Sequence, residues 1–187
     1  MTGVIQTADR EDYAWPTPTN WSRAEVHTYA EHIAREIGYE PGADLTEHVI
    51  PLLGGRIHFV DSWVLNQTSD ASILIQGEND FDIYLSRYTG HLRDRFSIVH
   101  ELGHYFLHSN QGKIRMQASR AYNRETEQRV EWEANWFAGA FLMPEVEFRQ
   151  SLNEFGVQNT AARFGVSPTA AGVRMKILSI DPNKYLA

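Results

Sequence analysis

Two histidines four residues apart, with a glutamate beside the first, are the part of this sequence best suited to chemistry. They are His100, Glu101 and His104, within SIVHELGHYFLH at positions 97–108. On a helix, four residues advance about 6 Å and return to nearly the same face. Both imidazoles can therefore reach one divalent cation. Glu101 leans over the same site and can take a proton from a water held there without being a ligand itself. The surrounding segment is helical and mostly apolar, where uncommitted His and Glu would be costly to bury. Gly103 stands inside this helix despite a propensity cost of about 1 kcal/mol, which implies a close approach by another helix or by a sheet.

A catalytic zinc site takes three protein ligands and keeps a fourth position open. His108 lies eight residues beyond His100, about 12 Å along a straight helix, too far to share the ion. It is expected to end the helix, where a cation is favourable, or to line the cleft. The better source is VEWEANWFAGAFLMP, positions 130–144. Glu131 and Asn135 are four residues apart on one face. Glu131 can complete a two-histidine, one-glutamate set, and Asn135 can accept the N–H of a ligating imidazole, fixing its tautomer. Glu127 and Glu133 are the alternatives on the same helix. Glu133 lies about 160° around from Glu131 and is expected to meet solvent. A donor to the developing oxyanion is also needed. Tyr105, Tyr122, His91 and Arg120 are all candidates, with Tyr122 favoured by its place between the two helices. Trp132, Trp136, Phe137 and Phe141 read as packing residues rather than a substrate box. Nitrogen and oxygen donors of this kind suit Zn2+ and would tolerate Mn2+ or Fe2+.

The elements that must position these groups follow from periodicity. Ala24, His27, Ala30, Ile33, Ala34 and Ile37 recur at helical spacing between a cap at Asn20 or Ser22 and a stop at Gly38. A short helical turn is expected around Leu45–Leu53. Three strand candidates follow, Arg56–Asp61 (extended by Val64 and Leu65), Ala71–Gln76 and Phe81–Ser86, with a turn at 78–80. They make a small sheet, antiparallel at least in part. From Leu92 the period becomes helical up to about His108, and residues 109–123 read as a polar loop. A second strong helix runs from about Arg124 to Leu142 and stops at Pro144. Shorter helices over Val146–Phe155, Asn159–Phe164 and Pro168–Ile177 follow, broken at Gly156 and Gly165. The implied organisation is a polar arm over 1–20, a core over 21–145 carrying both metal-bearing helices, and a helical C-terminal part over 146–187.

Composition narrows the classes. The chain has 187 residues, 42 % hydrophobic and 22 % charged, which suits one globular core. No uncharged run approaches the roughly 20 apolar residues of a membrane helix, and the first twenty residues hold no apolar leader segment. There is no cysteine, so a metal site must use His, Asp and Glu, and the cytoplasm is the expected compartment. The net charge of −7 is uneven: residues 1–55 hold three basic and nine acidic groups, and residues 156–187 hold four and one. Such a body repels a phosphate backbone, which makes nucleic acid a poor direct partner. Only the tail relaxes that argument. Its helix-turn-helix character over Asn159–Ile177 would let Arg163, Arg174 and Lys176 reach phosphates.

The segments RFSIVHELGHYFLH (95–108), EWEANWFAGAFLMP (131–144) and ARFGVSPTAAGVRMKIL (162–178) resemble the ImmA/IrrE metallopeptidases, a gluzincin-like branch of the zincins, over most of the chain from about Val26. The resemblance implies an α+β, zincin-like domain: a small twisted sheet packed on two metal-bearing helices, with a helical tail. It implies ligands His100, His104 and Glu131, general base Glu101, and Asn135 behind a ligand histidine. The implied activity is zinc-dependent cleavage of a protein, often a repressor or other helix-turn-helix regulator of a phage, mobile element or stress response. Two rivals stand beside it. One is a non-enzymatic regulator that binds a repressor or DNA and keeps the metal as a cross-link. The other is a hydrolase of non-peptide amides using the same site.

Overall fold

A computed structural model describes residues 13–61, 71–119 and 125–185. Helix α1 (Arg23–Glu36) begins with a reciprocal cap: Ser22 accepts from the Glu25 backbone N–H while the Glu25 carboxylate accepts from that of Ser22. A π-helical turn (Leu45–Val49) runs into the short α2 (Ile50–Leu52), and strand β1 (Gly55–Val60) follows. Strands β2 (Ala71–Gly77) and β3 (Asp80–Ser86) form an antiparallel hairpin. β1 joins the far side of β3 in parallel, with Ile57 opposite Ile83. The sheet order is β1-β3-β2-β4. Val64 and Leu65 lie outside the described residues.

The edge strand β4 (Met116–Ser119) falls where a polar loop was expected. It is only four residues long and owes its existence to β2, with Met116 opposite Ile75 and Ala118 opposite Ile73. Met116 and Ala118 are buried while Gln117 faces the other way. Ala14 bridges Met116 in parallel, so the N-terminal segment runs along this edge.

Phe81, Ile83 and Leu85 on β3 and Ile73 and Ile75 on β2 form the buried face of the sheet. Helix α3 (His91–Gly103) crosses this face and continues as a π-helical turn over His104–His108. Tyr105 of that turn packs on Phe81, ring centroids 4.6 Å apart. Helix α4 (Glu125–Leu142) lies on the other side of α3, and the aromatic run Phe106–Phe137–Phe141–Tyr39 joins the layers. The close approach expected at Gly103 is present. A Cβ there would sit 3.0 Å from Ala134 Cα and 3.2 Å from its carbonyl oxygen. We expect Gly103→Val to force α3 and α4 apart at a cost of about 2 kcal/mol, lowering Tm by about 4–8 °C in a thermal melt. An unchanged Tm would show that the helices yield freely there.

Helix α5 (Glu145–Phe164) contains the expected break, because Gly156 has φ 71° and ψ 179°, outside the helical region. Helix α6 (Pro168–Ile177) is capped by Ser167. The tail helices are tied to the body by two buried guanidinium groups. Arg95 of α3 donates to the Gly165 and Ala43 carbonyls and to the Tyr39 hydroxyl. Arg174 of α6 donates to the Met143 carbonyl at 2.9 Å and to Glu31 at 3.1 Å. Arg174 is 1 % exposed, which corrects the expectation that it could reach phosphates: it is committed to joining α6, α1 and the α4–α5 turn.

The same junction holds His27, whose Nδ1 lies 3.3 Å from Arg174 and whose Nε2 is buried without a hydrogen-bond partner. Burial, together with the Arg174 charge, pushes this imidazole down to about 4. A histidine with a depressed folded pKa contributes stability that is fully present above its unfolded value near 6.5 and is lost as pH falls toward 4. Chemical denaturation of His27→Gln across that window should therefore show a shallower loss of stability with acid than the parent. Equal slopes would contradict this account of the junction.

Candidate metal centre

His100 and His104 project from the last turn of α3 and the start of the π-helical turn, and Glu131 faces them from α4. The two Nε2 atoms approach to 3.2 Å. Glu131 Oε2 lies 3.2 Å from His100 Nε2, and its Oε1 lies 3.4 Å from His104 Nε2. Four-coordinate tetrahedral zinc with bonds of 2.0–2.1 Å separates neighbouring donor atoms by about 3.3–3.4 Å. The three groups thus hold their donor atoms at spacings that fit such an ion. They form the one cluster of His, Asp and Glu among the described residues with metal-binding proximity. Both histidines are fully buried, Glu131 is partly exposed, and Glu101, next to His100, is buried.

The partners on the far sides of the imidazoles fix which nitrogen faces the centre. Asn135 Oδ1 lies 3.1 Å from His100 Nδ1. An amide oxygen only accepts, so when Nε2 turns its lone pair to a cation the remaining ring proton, on Nδ1, would be held by Asn135. His104 Nδ1 instead faces His108 Nδ1 at 3.0 Å. Partial burial alone would raise the Glu131 carboxyl, but the hydrogen bonds and charge of His100 and His104 outweigh it and hold the group well below the usual carboxylate range. Glu131 is thus an anion at neutral pH, as a ligand to a divalent cation must be.

Two sequence expectations change here. Glu133 does not meet solvent. It is completely buried, accepting from His108 Nε2 at 3.1 Å, Arg129 Nε at 2.9 Å and the backbone N–H groups of Thr19 and Asn20. Burial would raise this carboxyl, yet those donors bring it down to about 2. His108 ends the π-helical turn, as expected of it, but it is a buried link between His104 and Glu133, and burial lowers its pKa to about 4. Four-residue spacing between His104 and His108 was a usable signal for this pairing. Nothing in the sequence revealed that residues 19–20 would close over Glu133. Trp132, expected to pack, is 49 % exposed, whereas Phe137 and Phe141 are in the core. Tyr122 and Arg120 lie outside the described residues. Tyr105 lies on the sheet side, where its hydroxyl accepts from the Asn79 N–H and its ring packs on Phe81.

A cleft of about 690 Å³ opens beside the cluster. Glu131 and Asn135 form one wall, Leu92, Arg93, Phe96 and Ser97 of α3 another, and Val166, Ser167 and Ala170 a third.

A family model described as the IrrE N-terminal-like domain, Peptidase_M78, matches residues 76–176, more than half of the chain. The chain belongs to the Peptidase_M78 family. The match spans α3, α4 and the tail helices, which includes every residue of the cluster. The Peptidase_M78 assignment supports a metallopeptidase type of function, and the expected α+β, zincin-like architecture with its helical C-terminal region is borne out. Among solved structures, a Mycobacterium tuberculosis transcriptional regulator has a similar fold, with a TM-score of 0.58 and 18 % sequence identity over 90 % of this chain. This Peptidase_M78 chain spans 48 % of that protein, about half its length. No curated protein matches the chain.

Proposed function

We propose that this protein is a metal-dependent endopeptidase whose ion, most suitably Zn2+, is held by His100, His104 and Glu131. The observation that carries the reading is the convergence of two imidazole Nε2 atoms and a carboxylate at separations of 3.2–3.4 Å, within a peptidase family. Bound there, the ion would polarise a peptide carbonyl and acidify a water. Glu101 would take a proton from the attacking water and deliver it to the leaving amine. Asn135 and the surrounding helix hold the His100 ring in place, and the adjoining cleft receives the chain to be cut. Residues 21–145 are assigned to the catalytic core and 146–187 to a part that completes the cleft wall through Val166, Ser167 and Ala170.

The substrate class follows from the ImmA/IrrE resemblance: a regulatory protein, most naturally a helix-turn-helix repressor, cleaved in the cytoplasm. None of the described helices is long and apolar enough to cross a membrane. Support for chemistry over a purely structural ion comes from the buried Glu101 beside the first ligand, since a cross-link needs ligands but no base. The test is incubation of zinc-loaded protein with the helix-turn-helix protein encoded nearest to it, read by intact mass. Discrete fragments abolished by chelator are expected. Tight binding of that protein without cleavage would favour the non-enzymatic rival.

A further inference from the structure

Helix α3 carries two arginines near its start, and they serve opposite sides of it. Arg95 is 4 % exposed and turns inward to the Gly165 and Ala43 carbonyls and the Tyr39 hydroxyl. Arg93 is exposed and lines the cleft beside the metal cluster. We propose that Arg93 is a specificity-determining residue, selecting peptide segments with an acidic side chain two or three residues from the bond to be cut and an apolar one between. The inference rests on reading the cluster as a peptidase centre, but the recognition it describes is readable by binding alone.

The placement follows from helical spacing. Arg93, Phe96 and His100 stand at i, i+3 and i+7 and so share one face of α3. Seven residues advance about 10 Å, which puts Arg93 two turns before His100 and Phe96 about one turn before it. The cleft runs along this face, with Glu131 and Asn135 lining it together with Phe96 and Arg93. The opposite wall is fixed by Arg95, whose bond to the Gly165 carbonyl holds Val166 and Ser167 near the N-terminal half of α3. An extended peptide rises about 3.3 Å per residue, so about 10 Å corresponds to about three residues, and the long arginine side chain also reaches one residue nearer.

The chemistry of the lining sets what fits. Phe96, Val166 and Ala170 offer apolar surface, and Leu92 is 42 % exposed there. Among the described residues that line the cleft, Arg93 and Glu131 are the two charged ones. Glu131 belongs to the metal cluster, so with a divalent cation bound its charge is offset and Arg93 sets the sign of the field a substrate meets. Asp94, the neighbouring acid on α3, accepts from the Thr89 hydroxyl. A guanidinium presents a planar fork of N–H donors that matches a carboxylate and stays charged at any physiological pH. A lysine at the same place in the substrate would meet repulsion. The chain as a whole carries a net charge of −7 and repels acidic segments, so this local cation decides where along a substrate an acid is accepted.

The experiment uses three fluorescein-labelled peptide libraries built on a central Leu-Phe pair. They carry Glu, Gln or Lys at the second and third positions on either side of the Leu-Phe bond and are otherwise uncharged. Binding is read by anisotropy with Glu101→Gln protein and cleavage by mass spectrometry with the parent, each repeated with Arg93→Glu added. The Glu library should bind about 5- to 10-fold more tightly than the Gln library, with the Lys library weakest. Salt at about 0.5 M should shrink that preference. Arg93→Glu should invert it toward Lys while zinc content stays as in the parent, because Arg93 is outside the cluster. In cleavage the change should fall on KM rather than kcat. Equal binding of the three libraries, binding of none, or an unchanged order with Arg93→Glu would overturn the proposal. Cleavage of all three at equal kcat/KM would keep the peptidase and overturn the selectivity. Selective binding that inverts with Arg93→Glu, with no library cut by the parent, would uphold Arg93 as the selecting residue and remove the peptidase reading instead.

Discussion

Glu101→Gln leaves the fold and the bound metal in place and lowers peptide hydrolysis by about 10²- to 10⁴-fold, the usual contribution of a positioned general base. That range corresponds to about 3–5 kcal/mol of transition-state stabilisation. Glutamine has the shape of glutamate and can still hold a water by hydrogen bonding, but it cannot accept the proton that makes the water a nucleophile. Because Glu101 is not one of the three clustered donors, metal content should match the parent. The comparison is made under saturating zinc, with fragments of the regulator quantified by mass and Tm recorded alongside. A glutamine variant as fast as the parent would mean that the water is activated by another group.

The second large effect concerns Glu131. Glu131→Gln removes the only anionic donor of the cluster and should weaken zinc binding by more than 100-fold. Asn135→Ala should cost about 10- to 100-fold, because it releases the ring of a ligand without deleting a ligand. Chelator competition distinguishes the two. Since a ligand that binds only the folded state stabilises it by mass action, zinc should raise the Tm of the parent and leave Glu131→Gln nearly unmoved. Equal zinc affinity for Glu131→Gln and the parent would transfer the third donor to another residue and dissolve the two-helix site.

Most of the positioning elements were legible in the sequence because helical period is a local property. The pattern from Leu92 to His108 and the run ending at Pro144 fall on α3 and α4, and His100, His104 and Glu131 meet where spacing on two helices would bring them. What was not legible depended on contacts distant in sequence. β4 is a strand through its pairing with β2, and four residues carry too little alternation to announce it. The parallel seating of β1 on β3 follows from the β2–β3 hairpin leaving one edge of β3 open. Glu133 lies on the side of α4 away from Glu131, as its two-residue spacing predicts, yet it does not reach water. That side of α4 is closed by the π-helical turn carrying His108 and by residues 19–20, 113 and more positions earlier in the chain. The wider π-helical turn, with Ser109 N–H bonded to the His104 carbonyl, could not be told from an α-helix by periodicity over five residues.

Crystals of the protein, purified without a histidine tag and diffracted on both sides of the zinc absorption edge, test the central claim most directly. The account predicts a single strong anomalous peak per chain, bonded to Nε2 of His100, Nε2 of His104 and the Glu131 carboxylate, with His108 and Glu133 behind His104 and not in contact with the ion. A peak coordinated by His108 or Glu133 in place of Glu131, or none at these residues after zinc soaking, would contradict it.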